Sequence, residues 1–281
     1  MNSPSFFSIS GCQRSGTTLM RLILDSHKKI HCFDELKSYD ILKGTPGQPK
    51  PLIARIPANG PAITGFKIPR LAEQLDYEYF DEFEYGKFPN EVREFPTVFM
   101  IRNVLDVISS MVSLKLNETN WLRAHGLPIL KFMAEKPRFR HHYHNELEYI
   151  QKTNENSFAV GALIWRYKTE AIFRYLDQGM MIKPVFYDEL ILNPQLIIRD
   201  ILEFLKLDWD ISVLNHHTIE HDEVNADGMA IGQTNAREPI HHKSYKKNIE
   251  IYDINAKDMI RKITQPALEQ MEAKGWKLNI P

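Results

Sequence analysis

The chain has 281 residues, of which 43% are hydrophobic and 25% are charged, and its formal net charge is −1. A chain of this length and composition is long enough to form one large domain with a sizeable core. The near-zero net charge excludes a global electrostatic attraction to nucleic acid or to a membrane surface.

The two cysteines and the apolar runs bear on the compartment. Cys12 lies inside a glycine-containing turn, so a disulfide scaffold is not expected, which suits a reducing compartment. No basic segment followed by an apolar stretch precedes the first predicted strand, and no apolar run has the length of a membrane span. These features predict a cytoplasmic protein without a membrane span.

The first predicted elements are a strand at Phe6–Ile9 and a helical run at Leu19–Leu24, joined by a tight turn. The free N–H groups of a helix N-terminus and the helix dipole favour bound anions. Gly11 and Gly16 allow the backbone to approach a phosphate closely. Arg14 adds a planar, permanently charged guanidinium. The turn therefore predicts an anion-binding loop.

This loop differs from the nucleoside triphosphate-binding form. That form requires G-x-x-x-x-G-K-[ST], and here Thr17 follows Gly16 where the lysine would stand. On glycine spacing alone, an ordinary strand-to-helix turn explains the pattern about as well.

The longer string from Gly11 to His27, G-x-x-R-S-G-T-T-L-x-R-x-x-L-x-x-H, closely resembles the 5′-phosphosulfate loop of sulfotransferases. These enzymes use 3′-phosphoadenylyl sulfate as donor and release adenosine 3′,5′-bisphosphate. The string is most similar to the branch of protein-tyrosine sulfotransferases and many bacterial sulfotransferases. The resemblance implies that five consecutive loop residues bind the donor: Arg14, Ser15, Gly16, Thr17 and Thr18.

A carboxylate follows the first helix, which continues to Ser26. A hydroxyl acceptor loses a proton as it attacks, so a nearby carboxylate is the expected general base. Glu35 stands at the offset from Arg14 at which the tyrosine sulfotransferases carry their proposed catalytic glutamate. Asp34 is the alternative base.

Residues 43–61 contain many prolines and glycines and predict an irregular loop. A strand at Ala62–Lys67 follows. Lys67 resembles the lysine that in many sulfotransferases precedes a proline turn and donates to the transferred group. A solvated lysine at a strand end explains the position about equally well.

The continuous apolar run Phe95–Arg102 predicts a strand buried on both faces, followed by a helix to Leu116. Arg102 and Ser110 have the spacing of the sulfotransferase residues that bind the donor's 3′-phosphate. The tyrosine enzymes carry a further arginine where this chain has Leu114, so that contact is either missing or supplied by Lys115.

Residues 117–156 resemble the family least, and we expect them to cover the acceptor. The segment contains three neighbouring histidines, but their spacing does not place them on one helix face and no cysteine lies near. We therefore predict no metal site.

The next predicted elements are an amphipathic helix at Phe158–Leu176, a buried strand at Met181–Phe186 and a helix at Ile197–Leu205. The stretch around Tyr187 again resembles the tyrosine sulfotransferases, in which this tyrosine contacts the adenosine. A strand-end aromatic packed on the core is the alternative reading of Tyr187.

Residues 225–248 lack regular periodicity and are rich in hydroxyl and cationic side chains. The resemblance implies a loop that covers the donor phosphates, with Thr234, Arg237 and Lys247 as ligands; Lys246 is the alternative to Lys247. A C-terminal helix is predicted over Ala256–Lys274.

Alternating strands and helices predict a single α/β domain over residues 1–281, with a P-loop-type parallel sheet flanked by helices on both faces. The function predicted from the resemblance is transfer of a sulfuryl group to a hydroxyl on a small molecule or peptide. The alternatives are a P-loop nucleotide kinase and a non-catalytic nucleotide-binding protein of the same fold.

Overall fold

A computed structural model describes residues 6–43, 52, 56, 63–77, 88, 90–116, 118–241 and 252–278 of the chain. Its strands are β1 (Phe6–Gly11), β2 (Ile30–Phe33), β3 (Ile63–Lys67), β4 (Thr97–Ile101), β5 (Lys115–Leu116), β6 (Thr119–Asn120), β7 (Ile182–Phe186), β8 (Met229–Ala230) and β9 (Thr234–Asn235). Its α-helices are α1 (Thr17–Asp25), α2 (Glu35–Lys43), α3 (Leu71–Tyr77), α4 (Val104–Ser113), α5 (Leu127–Glu135), α6 (Pro137–His142), α7 (His144–Lys152), α8 (Ser157–Asp177), α9 (Tyr187–Leu192), α10 (Pro194–Phe204) and α11 (Ile254–Ala273).

A parallel sheet of five strands, in the order β2-β3-β1-β4-β7, forms the centre of the fold. The predicted α/β class with a parallel sheet is thereby confirmed. Strand β2 was not predicted: it has four residues, includes the polar His31, and pairs only with β3 at the edge of the sheet. A run that short and mixed carries little periodic signal.

Helices cover both faces of the sheet. In β4, Val98 and Met100 pack in one core with apolar residues of α1 and α10. The alternate residues Phe99 and Ile101 pack in the other core with α4, α8 and α11. This alternation is the two-residue period of a strand whose two faces are both covered, and it explains why β4 reads as a continuous apolar run.

Helix α8 differs from the predicted amphipathic helix because most of its residues are buried. Its charged side chains are neutralised inside the protein: Lys168 pairs with the fully buried Glu73, and Arg166 pairs with Glu170. A helix surrounded by other elements has no solvent face, and buried ion pairs then occupy the positions that periodicity assigns to solvent.

Part of the predicted acceptor-side segment, residues 117–156, packs into the core. Phe139 and Tyr143 are fully buried, and the ring of Phe139 lies 5.3 Å from the ring of Tyr167 in α8. Among the described residues, no helix combines the length and the hydropathy needed to cross a membrane.

Candidate functional site

Five of the predicted site residues lie at or just after the carboxyl ends of the five strands of the parallel sheet. Arg14 follows β1, Glu35 follows β2, and Lys67 ends β3. Arg102 follows β4 and Tyr187 follows β7. Parallel strands present their carboxyl ends at one edge, which is where open α/β sheets bind ligands.

The loop between β1 and α1 needs its glycines. Gly11 has φ +132°, and a Cβ there would lie 2.3 Å from the carbonyl oxygen of Met100. Gly16 has φ +92°, and a Cβ there would lie 2.4 Å from the ring of Tyr187. Arg14 itself has φ +70°, a conformation that is rare for residues other than glycine and that clusters at functional sites.

Two arginines meet at this loop. Arg14 Nε donates to Ser110 Oγ over 2.9 Å, and Arg102 Nη1 donates to the carbonyl of Arg14 over 3.0 Å. Arg102 also stacks on the ring of Tyr187, 4.3 Å from its centroid. Burial, and then repulsion from Arg102, lower the pKa of Arg14 to about 10, which is still well above neutral pH. Two adjacent cations at a helix N-terminus form a site for an anion.

A large cleft of about 490 Å³ opens on this site. Its walls include the helix N-terminus, both arginines, Tyr187 and residues of the segment after β8. The predicted donor-binding residues that line it are Arg14, Gly16, Thr17, Thr18, Arg102, Ser110, Tyr187 and Thr234. Ser15 lies behind the cleft, and its buried hydroxyl has no hydrogen-bond partner among the described residues.

A small pocket of about 280 Å³ lies on the other side of the loop. It contains Glu35 and Lys67. The large cleft and the small pocket share three lining residues, Arg14, Thr17 and Thr18. These three residues form a wall that borders both cavities.

The two candidate bases occupy different positions. Asp34 is almost fully buried, and its Oδ1 accepts from Lys67 Nζ over 2.5 Å and from the backbone N–H of Glu35 over 2.7 Å. Glu35 lines the small pocket, with its carboxylate oxygens 3.8 Å from Lys67 Nζ and 3.8 Å from Arg70 Nε. Glu35 therefore faces the small pocket, while Asp34 contacts Lys67.

The segment of residues 222–232 contacts the loop between β1 and α1. The carbonyl of Gly232 accepts from Arg14 Nη1 over 2.5 Å. The start of the segment is anchored on the opposite side, where Arg21 Nη2 donates to the carbonyl of Asp222 and Glu223 Oε1 accepts from the backbone N–H of Asp34. The segment thereby connects the arginine of the loop with the strand end that carries the bases.

The predicted donor-binding residues of this part of the chain differ in whether they line the large cleft. Thr234 lines the large cleft. Arg237 is outside the cleft lining and donates to the carbonyl of Ala226 within its own segment. Lys246 and Lys247 lie outside the described residues.

Lys115, the predicted substitute for the arginine missing at Leu114, does not line the large cleft. Leu114 is buried and lines the small pocket, and Lys115 is exposed and lines neither cavity. Sequence reasoning missed Arg70 and Gly232. Their signals were weak: Arg70 follows the predicted turn after Lys67, and Gly232 is one glycine in an irregular segment.

Two histidines close in sequence to the candidate bases, His27 and His31, have other contacts. His27 Nε2 lies 3.0 Å from the carbonyl oxygen of Asp208. His31 contacts Asp25, which raises the pKa of His31. Neither histidine lines the two cavities as far as the structure describes them. Within the described ranges, no group of three or more histidine, cysteine, aspartate or glutamate side chains could hold a metal ion.

Comparison with known proteins gives a family match for the N-terminal part of the chain and solved structures of the same fold. Residues 5–59 match the model of the sulfotransferase family. No curated protein sequence matches the chain.

Two solved structures have the same fold. One is a sulfotransferase domain from the curacin biosynthetic pathway, with a TM-score of 0.54 and 14% identity over 100% of both chains. The other is a sulfotransferase domain from the olefin synthase of Synechococcus PCC 7002, with a TM-score of 0.51 and 15% identity over 99% of this chain and 97% of that one. At these identities the likeness shows the fold.

Proposed function

Because residues 5–59 match the model of the sulfotransferase family and the chain shares the fold of two sulfotransferase domains, we propose that it is an enzyme that transfers a sulfuryl group from 3′-phosphoadenylyl sulfate to an acceptor hydroxyl. The large cleft takes the donor and the small pocket takes the acceptor. The observation that carries the proposal is the wall of Arg14, Thr17 and Thr18 that the two cavities share. Group transfer requires two substrates to meet at one point, and this wall supplies that point.

The residues of the large cleft fit an anionic nucleotide. The helix N-terminus and Arg14 suit the 5′-phosphosulfate, and Arg102 with Ser110 suits the 3′-phosphate. Arg14 forms no ion pair with a carboxylate in the described part of the chain, so its charge is available to a ligand. The buried hydroxyl of Ser15, for which the described residues supply no hydrogen-bond partner, is a further polar group of the same loop.

The residues of the small pocket fit the acceptor side of the reaction. The acceptor oxygen forms a bond to sulfur while its proton passes to Glu35, and the bond between sulfur and the 5′-phosphate oxygen of the donor breaks. Lys67 and Arg14 stabilise negative charge on the transferred group and on the leaving phosphate. Asp34 positions Lys67 for this role.

A P-loop nucleotide kinase is the alternative enzyme. It would carry a lysine at Thr17 and an acidic residue at the end of a central strand to hold Mg²⁺. Here β4 is followed by Arg102. A non-catalytic nucleotide-binding protein is the alternative outside enzymes, and it would need no base at Glu35.

The proposed donor is tested by the stability of the protein with its product. Adenosine 3′,5′-bisphosphate at 100 times its Kd should stabilise the folded state by about 2.7 kcal/mol, because a ligand that binds only the folded state shifts the unfolding equilibrium. The rise in Tm is measured by thermal unfolding. ATP with Mg²⁺ is the control and should raise the Tm much less. Equal rises with both ligands would argue against the sulfotransferase proposal.

The role of Arg102 is tested by Arg102→Ala. Bisphosphate affinity should fall about 10- to 150-fold, because charge-assisted hydrogen bonds contribute about 1.5–3 kcal/mol each. The affinity for adenosine 5′-phosphosulfate, which lacks the 3′-phosphate, should change little. Isothermal titration with both ligands measures this difference, and the exposed Arg138→Ala is the matched control. Similar losses for both ligands would assign Arg102 a structural role in holding the loop.

A further inference from the structure

The small pocket divides into a polar inner end and an apolar outer wall. The inner end carries charged groups that compensate one another, with Lys67 on Asp34 and Glu35 between Lys67 and Arg70. The outer wall consists of six apolar residues, Leu36, Pro69, Leu114, Leu116, Trp121 and Ile231, and the lining also includes the polar Gln13, Thr17, Thr18 and His125. Glu35 is the only carboxylate among the described lining residues.

Local structure places the apolar side chains on the pocket side. Leu114 directly follows α4, and its carbonyl accepts from the backbone N–H of Trp121 over 2.9 Å, which closes the short β5–β6 hairpin. Leu114 and Leu116 line the pocket, whereas Lys115 between them is exposed and does not. This is the two-residue alternation of an extended chain, and it gives the pocket a wall without charges.

Leu36 marks the mouth of the pocket. It follows Glu35 directly, lines the same pocket, and its side chain is 55% exposed. An exposed leucine beside a carboxylate is a place where a ligand can cover apolar surface while it presents a polar group to the carboxylate.

We infer that the acceptor is a hydroxyl carried on an apolar body, aromatic or aliphatic, whose hydroxyl enters beside Glu35 while its skeleton lies between Leu36 and the wall of Leu114, Leu116 and Trp121. A sugar would leave several hydroxyls against this wall without hydrogen-bond partners, at a cost in affinity. This inference rests on the proposed function, since it assigns the acceptor class of the same reaction.

The test compares four acceptors with the same donor: 1-naphthol, 1-decanol, glucose, and a peptide with one tyrosine between glutamates. Product is measured by mass spectrometry as initial rates. The kcat/KM for 1-naphthol or 1-decanol should exceed that for glucose and for the peptide by about 100-fold or more. The first two acceptors distinguish an aromatic from an aliphatic body. A preference for glucose or for the peptide would overturn the inference.

Leu36→Ser tests the pocket itself. Because the side chain is already largely exposed, the variant should fold normally and raise the KM for the preferred apolar acceptor about tenfold, with kcat changed much less. Leu196→Ser, at a leucine that is 66% exposed on α10, is the matched control and should leave KM unchanged. Equal KM values for Leu36→Ser and Leu196→Ser would overturn the inference.

Two binding measurements separate this inference from the proposed function. If the unaltered protein does not bind the bisphosphate, that result counts against the proposed function. If the bisphosphate binds but no acceptor is sulfated, calorimetry with 1-naphthol and 1-decanol on the bisphosphate-loaded protein decides the acceptor class. Binding that Leu36→Ser weakens supports the apolar acceptor, and no binding overturns it.

Discussion

Glu35→Gln should lower the rate of sulfate transfer about 10²- to 10⁴-fold, the usual contribution of a positioned general base. The substitution keeps the shape of the side chain and removes its basicity. Bisphosphate affinity should be nearly unchanged, because Glu35 lines the small pocket and not the large cleft. The loss should be smaller with acceptors whose hydroxyl is already acidic. Single-turnover rates at saturating donor measure the effect.

The exposed Glu94→Gln is the matched control and should retain the full rate. Asp34→Asn gives a second comparison, because Asp34 contacts Lys67 rather than the small pocket. A normal rate in Glu35→Gln together with an inactive Asp34→Asn would assign the base to Asp34. If both variants transfer sulfate at the normal rate, the general base is another residue.

Lys168→Met should destabilise the protein by about 3–5 kcal/mol, the range measured when one partner of a buried ion pair is removed. Lys168 Nζ contacts Glu73 Oε1 over 2.5 Å, and both side chains are almost fully buried. After the substitution, the same carboxylate oxygen keeps the hydroxyl of Tyr167, at 2.8 Å, as a neutral donor. The midpoint of urea unfolding, with its slope, measures the loss.

Two variants test the reason for that loss. Lys152→Met removes an exposed partner of Glu148 and should cost much less stability, because solvent screens an exposed ion pair. The double variant Lys168→Met/Glu73→Leu removes both buried charges and should regain much of the lost stability. A double variant as unstable as Lys168→Met alone would show that packing, and not the unpaired Glu73, causes the effect.

The pair of Lys168 and Glu73 also affects the small pocket. Lys168 Nζ also donates to the carbonyl of Pro69 over 2.9 Å, between Lys67 and Arg70. We therefore expect the double variant, once stable, to show a raised acceptor KM, because the turn that presents Lys67 and Arg70 has lost this hydrogen bond. Bisphosphate affinity is the control and should not change.

Local sequence determined the first strand, the anion-binding loop and the first helix, since each depends on residues close in the chain. Gly11 and Gly16 are needed within one turn, and Arg14 is charged wherever it is placed. The buried strand β4 and the Arg102 that follows it were also predictable from the sequence, because a strand covered on both faces is apolar at every position. The edge strand β2 was not, because four residues with one histidine carry no clear period.

The tertiary structure alone decided how these parts form one site. Gly232 lies 218 residues from Arg14, yet its carbonyl meets that guanidinium. Leu114 and Trp121 line the same pocket as Glu35, although about 80 residues of chain separate them from it. The burial of Lys168 with Glu73 likewise follows from helix α8 lying inside the fold. Contacts of this kind depend on the packing of distant elements, whereas residue patterns report only on neighbours in the chain.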